Sequence, residues 1–279
     1  MSIGLENEYS GWRAERLPEG SSGVALPGII GAGGGWYHPP VESVATNCAV
    51  CNGSGWVPEP GSFRVRPCDC QDDLRRGLRI ASSSIPARYV PHCTLAGFHE
   101  RNNPSLASAK RRVARLVDEW PMAERGLLLM GPCGSGKTHL AVAALIDIIT
   151  QGKPGKLLFS NFQELIQQIL ASINSDQAPS RTEILEPVLT ADLLVMDELG
   201  SQKPTQFVQD MLYYIINTRY NENRTTVFTT NYLDEPRDAK EESLETRIGK
   251  RLRSRLFEMT ERVVVDADDY RKSVSGKWV

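Results

Sequence analysis

The sequence predicts an α/β fold: a largely parallel sheet covered by helices on both faces, preceded by a small cysteine-bearing module and a low-complexity tail. Three observations carry this. From about residue 92, short apolar runs alternate with segments of helical period, the pattern of strands buried on both faces. A glycine-rich loop, Gly131-Pro-Cys-Gly-Ser-Gly-Lys-Thr138, stands between one such run and one such helix. Four of the six cysteines, Cys48, Cys51, Cys68 and Cys70, fall within 23 residues.

Taken in order, residues 1–45 are rich in Gly, Pro and Ser, including Gly-Ala-Gly-Gly-Gly at 31–35. With no sustained period and little to bury they are expected to form a disordered tail, in which Trp12 and Trp36 are either short anchors or inert. Residues 46–80 hold the cysteines and a basic helix over 72–80. Residues 81–100 read as a linker, because Pro86 and Pro91 disfavour a continuing helix. Residues 101–279 form the main domain. Asn103-Pro104 starts a helix whose apolar positions Leu106, Val113, Leu116, Val117 and Trp120 follow helical spacing, and Pro121 ends it. Strands are expected at 126–130, 156–160, 193–197, 225–230 and 262–265, and helices at 139–151, 162–173, 207–223 and 244–259.

Composition narrows the class. The charged fraction of 24% and hydrophobic fraction of 41% are those of an ordinary globular protein, and no apolar run is long enough to span a bilayer, so no membrane partner is expected. The N-terminus lacks the basic flank and apolar stretch of a secretory signal, which predicts a cytoplasmic protein with reduced thiols. The net charge of −2 means that nucleic-acid binding needs a local patch.

The glycine-rich loop matches G-x-x-x-x-G-K-[ST] in full and has the strand-before, helix-after context that this motif requires. Its glycines let backbone N–H groups wrap phosphate, and the following helix N-terminus adds positive potential. The expected phosphate contacts are Gly131, Pro132, Cys133, Gly134, Ser135, Gly136, Lys137, Thr138 and His139. Lys137 would neutralise the β- and γ-phosphates of ATP, and the Thr138 hydroxyl would ligate Mg²⁺. Leu193-Leu-Val-Met-Asp197-Glu198 is an apolar strand ending in two carboxylates. There Asp197 suits the Mg²⁺ shell and Glu198 suits a general base on the attacking water. Asn231, closing the strand Thr225–Thr230, offers an amide to orient that water. Arg247, Lys250, Arg251, Arg253 and Arg255 form the densest basic cluster. It reads either as a solvated face paired with Glu242 or Glu245, or as an arginine finger for ATP held by a neighbouring subunit. The aromatic stripe Phe207, Tyr213, Tyr214 and Tyr220 is expected to be core.

Cys48-Ala-Val-Cys51 has the spacing that places two thiolates on one Zn²⁺, and Cys68-Asp-Cys70 completes a four-cysteine set. Cys93 and His92 are nearby substitutes. Cys51-Asn-Gly-Ser-Gly is similar to half of the zinc repeat of DnaJ-type chaperones, although the second pair here is C-x-C.

From about residue 86 to 275 the chain resembles the AAA+ ATPases of the bacterial replicative-helicase loader group (DnaC/DnaI-like) and the IstB-like transposition helpers. The residues that carry this are Ile85-Pro-Ala-Arg-Tyr, Asn103-Pro-Ser-Leu, Gly126 through Leu140, Leu194-Val-Met-Asp-Glu-Leu-Gly, Thr229-Thr-Asn and Arg251-Leu-Arg-Ser-Arg-Leu. The resemblance implies an ATPase that forms a homo-oligomer, binds single-stranded DNA and engages a replicative DNA helicase or a transposase. It also implies Arg255 as the arginine finger, with Arg251 the second choice, and Arg271 of Tyr270-Arg271 as a further sensor of the phosphates. Lys110, Arg111, Arg112 and Lys203 are candidates for DNA contacts.

Overall fold

The computed structural model describes residues 29–30, 36–37, 48–61, 64–173, 179–236, 238 and 240–273. Within the first 38 residues, a unit of its own, the two-residue strands Ile29–Ile30 and Trp36–Tyr37 pair antiparallel; Trp12 lies outside the described residues.

From residue 48 the described elements are strands β1 (Trp56–Pro58) and β2 (Val65–Pro67), helix α1 (Asp69–Ser82) and helix α2 (Pro104–Glu119). They continue with β3 (Gly126–Met130), α3 (Lys137–Thr150), β4 (Leu157–Asn161), α4 (Phe162–Ile173) and α5 (Arg181–Thr190). The last are β5 (Leu193–Asp197), α6 (Gln206–Asn221), β6 (Thr225–Thr230), α7 (Leu244–Ile248), α8 (Lys250–Met259), β7 (Thr260–Val264) and α9 (Tyr270–Ser273). Strands β3 to β7 form one parallel sheet in the order β4-β5-β6-β3-β7. β3 and β6 therefore lie side by side at its centre.

Both faces are buried, as the unbroken apolar runs require. Side chains alternate along each strand: Leu127, Leu129, Leu193, Val195 and Val227 join the core beneath α2 and α3, while Leu128, Met130, Leu194, Met196 and Phe228 join the opposite core with α4, α5 and α6. α3 is apolar nearly all round, with Leu140, Leu145, Ile148 and Ile149 at most 1% exposed. Each such side chain contributes about 1.5–3 kcal/mol of transfer free energy. Asn103 caps α2 by accepting from the Ser105 and Leu106 amides, and Pro104 sits at its first position, so the start expected from Asn-Pro is realised.

Three elements differ from the sequence reading. α5 was not expected; Pro187 in its interior argues against a helix, but the Ser180–Glu183 capping box starts one. The helix expected over 244–259 is two helices, because Gly249 adopts φ +86° between them. Residues 83–98 are built into the domain rather than merely joining parts. Ile85, Cys93 and Phe98 are buried in the core beneath α3, Tyr89 packs edge-on against Phe159, and Phe159 N–H donates to the Ser83 carbonyl at 2.7 Å. The aromatic stripe is a fourth correction in part: Phe207 packs against the core, whereas Tyr213 and Tyr214 are 39% and 47% exposed, on the side of the helix away from Leu212, Ile215 and Ile216. Among the described residues, no helix is long and apolar enough to cross a membrane.

Candidate functional site

β3 is buried along its whole length and delivers the chain to the glycine-rich loop at the C-terminal edge of the sheet. Gly136 closes the loop with φ +99°, and a Cβ there would lie 2.8 Å from a Phe98 ring carbon, so conformation and space both demand glycine. α3 starts at the next residue, leaving its first amides aimed into the loop. Lys137 Nζ donates to the carbonyls of Gly131 at 2.9 Å and Pro132 at 2.7 Å. Burial pulls its ammonium down to about 8; the nearby Cys133 and Asp197 oppose this, and the Arg271 charge reinforces it. Among the described residues the buried Ser135 hydroxyl has no hydrogen-bond partner, an arrangement that suits a loop meeting anionic oxygens. Cys133 is exposed, and His139 is packed edge-on to Phe98 with Nε2 3.0 Å from the Thr94 carbonyl.

The two carboxylates sit at the end of β5, beside the loop. Asp197 is 3% exposed, and its Oδ1 accepts from the Thr138 hydroxyl at 2.8 Å and the Thr229 hydroxyl at 2.5 Å. Burial pushes the Asp197 carboxyl up from the usual carboxylate range, while those two hydrogen bonds oppose it. Thr229 Oγ1 also accepts from the Glu198 amide at 3.0 Å, so one hydroxyl ties down both acidic residues. Glu198 is exposed and holds a left-handed φ of +59°, a conformation that costs a non-glycine residue about 1–3 kcal/mol and concentrates at functional sites. Asn161 Nδ2 donates to Glu198 Oε2 at 3.1 Å, while its Oδ1 accepts from the Gln163 and Glu164 amides at the start of α4. Asn161 and Asp197 are register partners on neighbouring strands. Asn161 was not singled out in the sequence, and Thr229 entered only as the start of the Thr229-Thr-Asn motif, with no role of its own. Both share a positional signal, each lying at or next to the end of a strand flanking β5.

The structure thus gathers Lys137, Thr138, Asp197 and Glu198 at one sheet edge. Asn231 follows β6 directly and is exposed there; the preceding Thr230 accepts from the Gly131 amide at 3.3 Å. The C-terminal Tyr-Arg pair also comes to the loop, the Tyr270 amide donating to the Gly134 carbonyl at 3.1 Å. The basic cluster divides. Arg253 pairs with Asp234 and Glu245, the ion-paired face expected as one alternative, whereas Arg247, though paired with Glu242, is little exposed and donates to the Gly200, Ser201 and Gln202 carbonyls. Arg251 is exposed, and Arg255 lies over aromatic rings of α6. Of the basic residues considered for DNA, Lys110 is engaged by Phe98 and Glu100 and Arg112 by Glu261, whereas Arg111 is exposed.

The four clustered cysteines converge in a second site. Their sulfurs all lie within 4.8 Å of one another, with Cys48–Cys68 at 3.7 Å and Cys51–Cys70 at 3.5 Å. Four thiolates on one tetrahedral ion with metal–sulfur bonds of about 2.3 Å stand roughly 3.8 Å apart, so the set fits a single metal ion. The Gly55 amide donates to Cys51 Sγ at 3.3 Å, the outer support expected of such a ligand. Cys93 is instead buried in the main core.

Comparison with known proteins bears on both the fold and the site. A family profile described as IstB-like ATP binding protein matches residues 72–277. An insertion-sequence ATP-binding protein of Sinorhizobium fredii is 29% identical over 157 residues, 56% of this chain and 51% of that protein, so this chain spans about half its length. The replicative helicase loader DnaC of Escherichia coli K12 is 22% identical over 223 residues, 80% of this chain and 86% of that protein. A crystal structure of the DnaC helicase loader superposes with a TM-score of 0.55 at 32% identity, covering 64% of this chain and 99% of that one.

Proposed function

The chain belongs to the family of IstB-like ATP-binding proteins, a family of AAA+ ATPases, and from that premise we propose that it is an ATP-dependent loader of a replicative DNA helicase. It acts as a cytoplasmic homo-oligomer on single-stranded DNA. The observation that carries this is the superposition on nearly the whole of the DnaC loader structure, with the carboxylate pair at the phosphate loop's edge.

Loop amides and Lys137 hold the ATP phosphates, and the paired oxygens of Thr138 and Asp197 hold Mg²⁺, which when bound neutralises phosphate charge. Glu198 takes the proton of a water as its oxygen attacks the γ-phosphorus. The bond from that phosphorus to the β–γ bridging oxygen breaks, and ADP leaves. Asn161 keeps the Glu198 carboxylate aimed, Asn231 orients the water, and Arg271 senses the phosphates from the chain's end. Arg255 of a neighbouring copy offsets the charge of the transferring group. Cys48, Cys51, Cys68 and Cys70 bind Zn²⁺, which folds a module that grips the helicase.

The test is reconstitution. With ATP, the protein should place the replicative helicase of its own host on single-stranded DNA coated by single-strand-binding protein, measured as unwinding of a fork. A second reading, an ATPase helper of a transposase, is favoured by the family profile's IstB-like description and the Sinorhizobium fredii relative. ATP-dependent capture of a transposase, with no effect on helicase loading, selects that reading instead.

A further inference from the structure

We infer that Tyr213 and Tyr220 form an aromatic shelf that holds the Arg255 guanidinium ready to reach ATP bound by a neighbouring copy, which makes them positioning residues for hydrolysis. This rests on Arg255 being the finger, as proposed above. A finger must keep its charge uncancelled while its long side chain is held in one direction. Ion pairing achieves the second at the expense of the first, and that is the state of Arg253, which is clasped by Asp234 and Glu245. Arg255 is held differently. Its guanidinium carbon lies 5.2 Å from the Tyr213 ring centroid and 6.0 Å from that of Tyr220, within the range of cation–π attraction. Among the described residues, no carboxylate forms an ion pair with it.

The shelf is itself fixed. Tyr213 and Tyr220 stand seven positions apart on α6, two turns along one face, and α6 packs against α8. The Tyr220 hydroxyl donates to Glu258 Oε1 at 2.7 Å, and Glu258 lies three residues beyond Arg255, on the same side of α8. The place is open to a neighbour, because Tyr213 is 39% exposed and Tyr214 beside it 47%. An arginine restrained in advance loses less rotamer freedom when it docks.

The test uses the full-length protein under conditions where wild-type chains assemble, with Tyr213→Leu, Tyr213→Phe and Arg255→Ala side by side. Tyr213→Leu should lower kcat for ATP about threefold to tenfold, as loss of an exposed to partly desolvated cation–π contact predicts, with KM and thermal midpoint unchanged. Tyr213→Phe keeps the ring face and should turn over at the wild-type rate. Adding Lys137→Ala chains, which carry an intact shelf and finger, should restore part of the Tyr213→Leu loss. Wild-type turnover in Tyr213→Leu beside a slow Arg255→Ala overturns the shelf and leaves the finger standing. Wild-type turnover in Arg255→Ala overturns the finger, and the shelf with it. Equal losses in Tyr213→Leu and Tyr213→Phe, or a Tyr213→Leu loss that Lys137→Ala chains do not relieve, also overturn the shelf.

Discussion

Replacing Thr229 by valine removes one hydroxyl and leaves the shape of the site almost intact. That hydroxyl donates to Asp197 at 2.5 Å and accepts from the Glu198 amide at 3.0 Å, on a side chain 1% exposed. A hydrogen bond to a charged group contributes about 1.5–3 kcal/mol, and a buried donor left unpaired costs about 1–3 kcal/mol. Because Asp197 keeps Thr138, the combined loss should be about 2–4 kcal/mol, or a fall in Tm of roughly 5–15 °C for a domain of this size. Burial already raises the Asp197 carboxyl, and the Thr229 hydrogen bond is the first of the contacts that oppose this. Its removal raises the carboxyl further, so the acidic limb of the pH–rate profile should move to higher pH. The sign for stability follows. Folding disfavours an ionised Asp197, and more so in the variant, so the variant's deficit should shrink as pH falls and the carboxylate protonates. Glu198, held at φ +59°, loses its amide anchor, and kcat should fall about tenfold for each 1.4 kcal/mol of lost alignment, while nucleotide affinity changes less. Thermal unfolding at two pH values and steady-state ATPase profiles measure all of this. An unmoved acidic limb together with an unchanged Tm would refute the tie that Thr229 is argued to make.

Lys137, lowered to about 8 by burial, should be protonated at pH 7 and largely neutral at pH 9, whereas bound phosphates hold it charged. ATP affinity should therefore weaken about fivefold from pH 8 to pH 9, with proton uptake on binding, as titration calorimetry in buffers of differing ionisation enthalpy can read. Glu198→Gln should bind ATP normally and lose hydrolysis; normal turnover removes Glu198 from the role of base. Carefully reduced protein should carry about one zinc per chain by metal analysis, and Cys70→Ser should lose it, since a four-thiolate site is left with three. Wild-type protein without metal would make residues 46–71 a thiol-bearing segment only.

What the sequence disclosed was what is local in it. The phosphate loop is eight consecutive residues whose type and order follow from one task, and β5 is a short run whose burial on both faces forbids polar residues until Asp197. What it hid was pairing. That Asn161 meets Glu198 and Thr229 meets Asp197 depends on β4 and β6 flanking β5, an order set by packing over the whole sheet. α5 is the one long helix that the sequence reading left out, although the Ser180–Glu183 capping signature at its start is local. Pro86 and Pro91 marked the end of a helix correctly but said nothing of whether the chain beyond it is buried, as Ile85 and Phe98 are.

Gly249 carries a consequence for assembly. Arg247 fastens α7 to the chain after β5 through three carbonyls, and α8 carries Arg255, so the aim of one relative to the other passes through the single residue between them. A Cβ at that position would touch nothing within 4 Å, so torsion alone, and no want of room, reserves the place for glycine. It behaves as a set-square: a right-handed residue there would draw the two pieces toward one straight rod and swing the arginine away. Each chain would still hold its own nucleotide, yet in the homo-oligomer proposed above Arg255 would no longer reach the nucleotide of its neighbour.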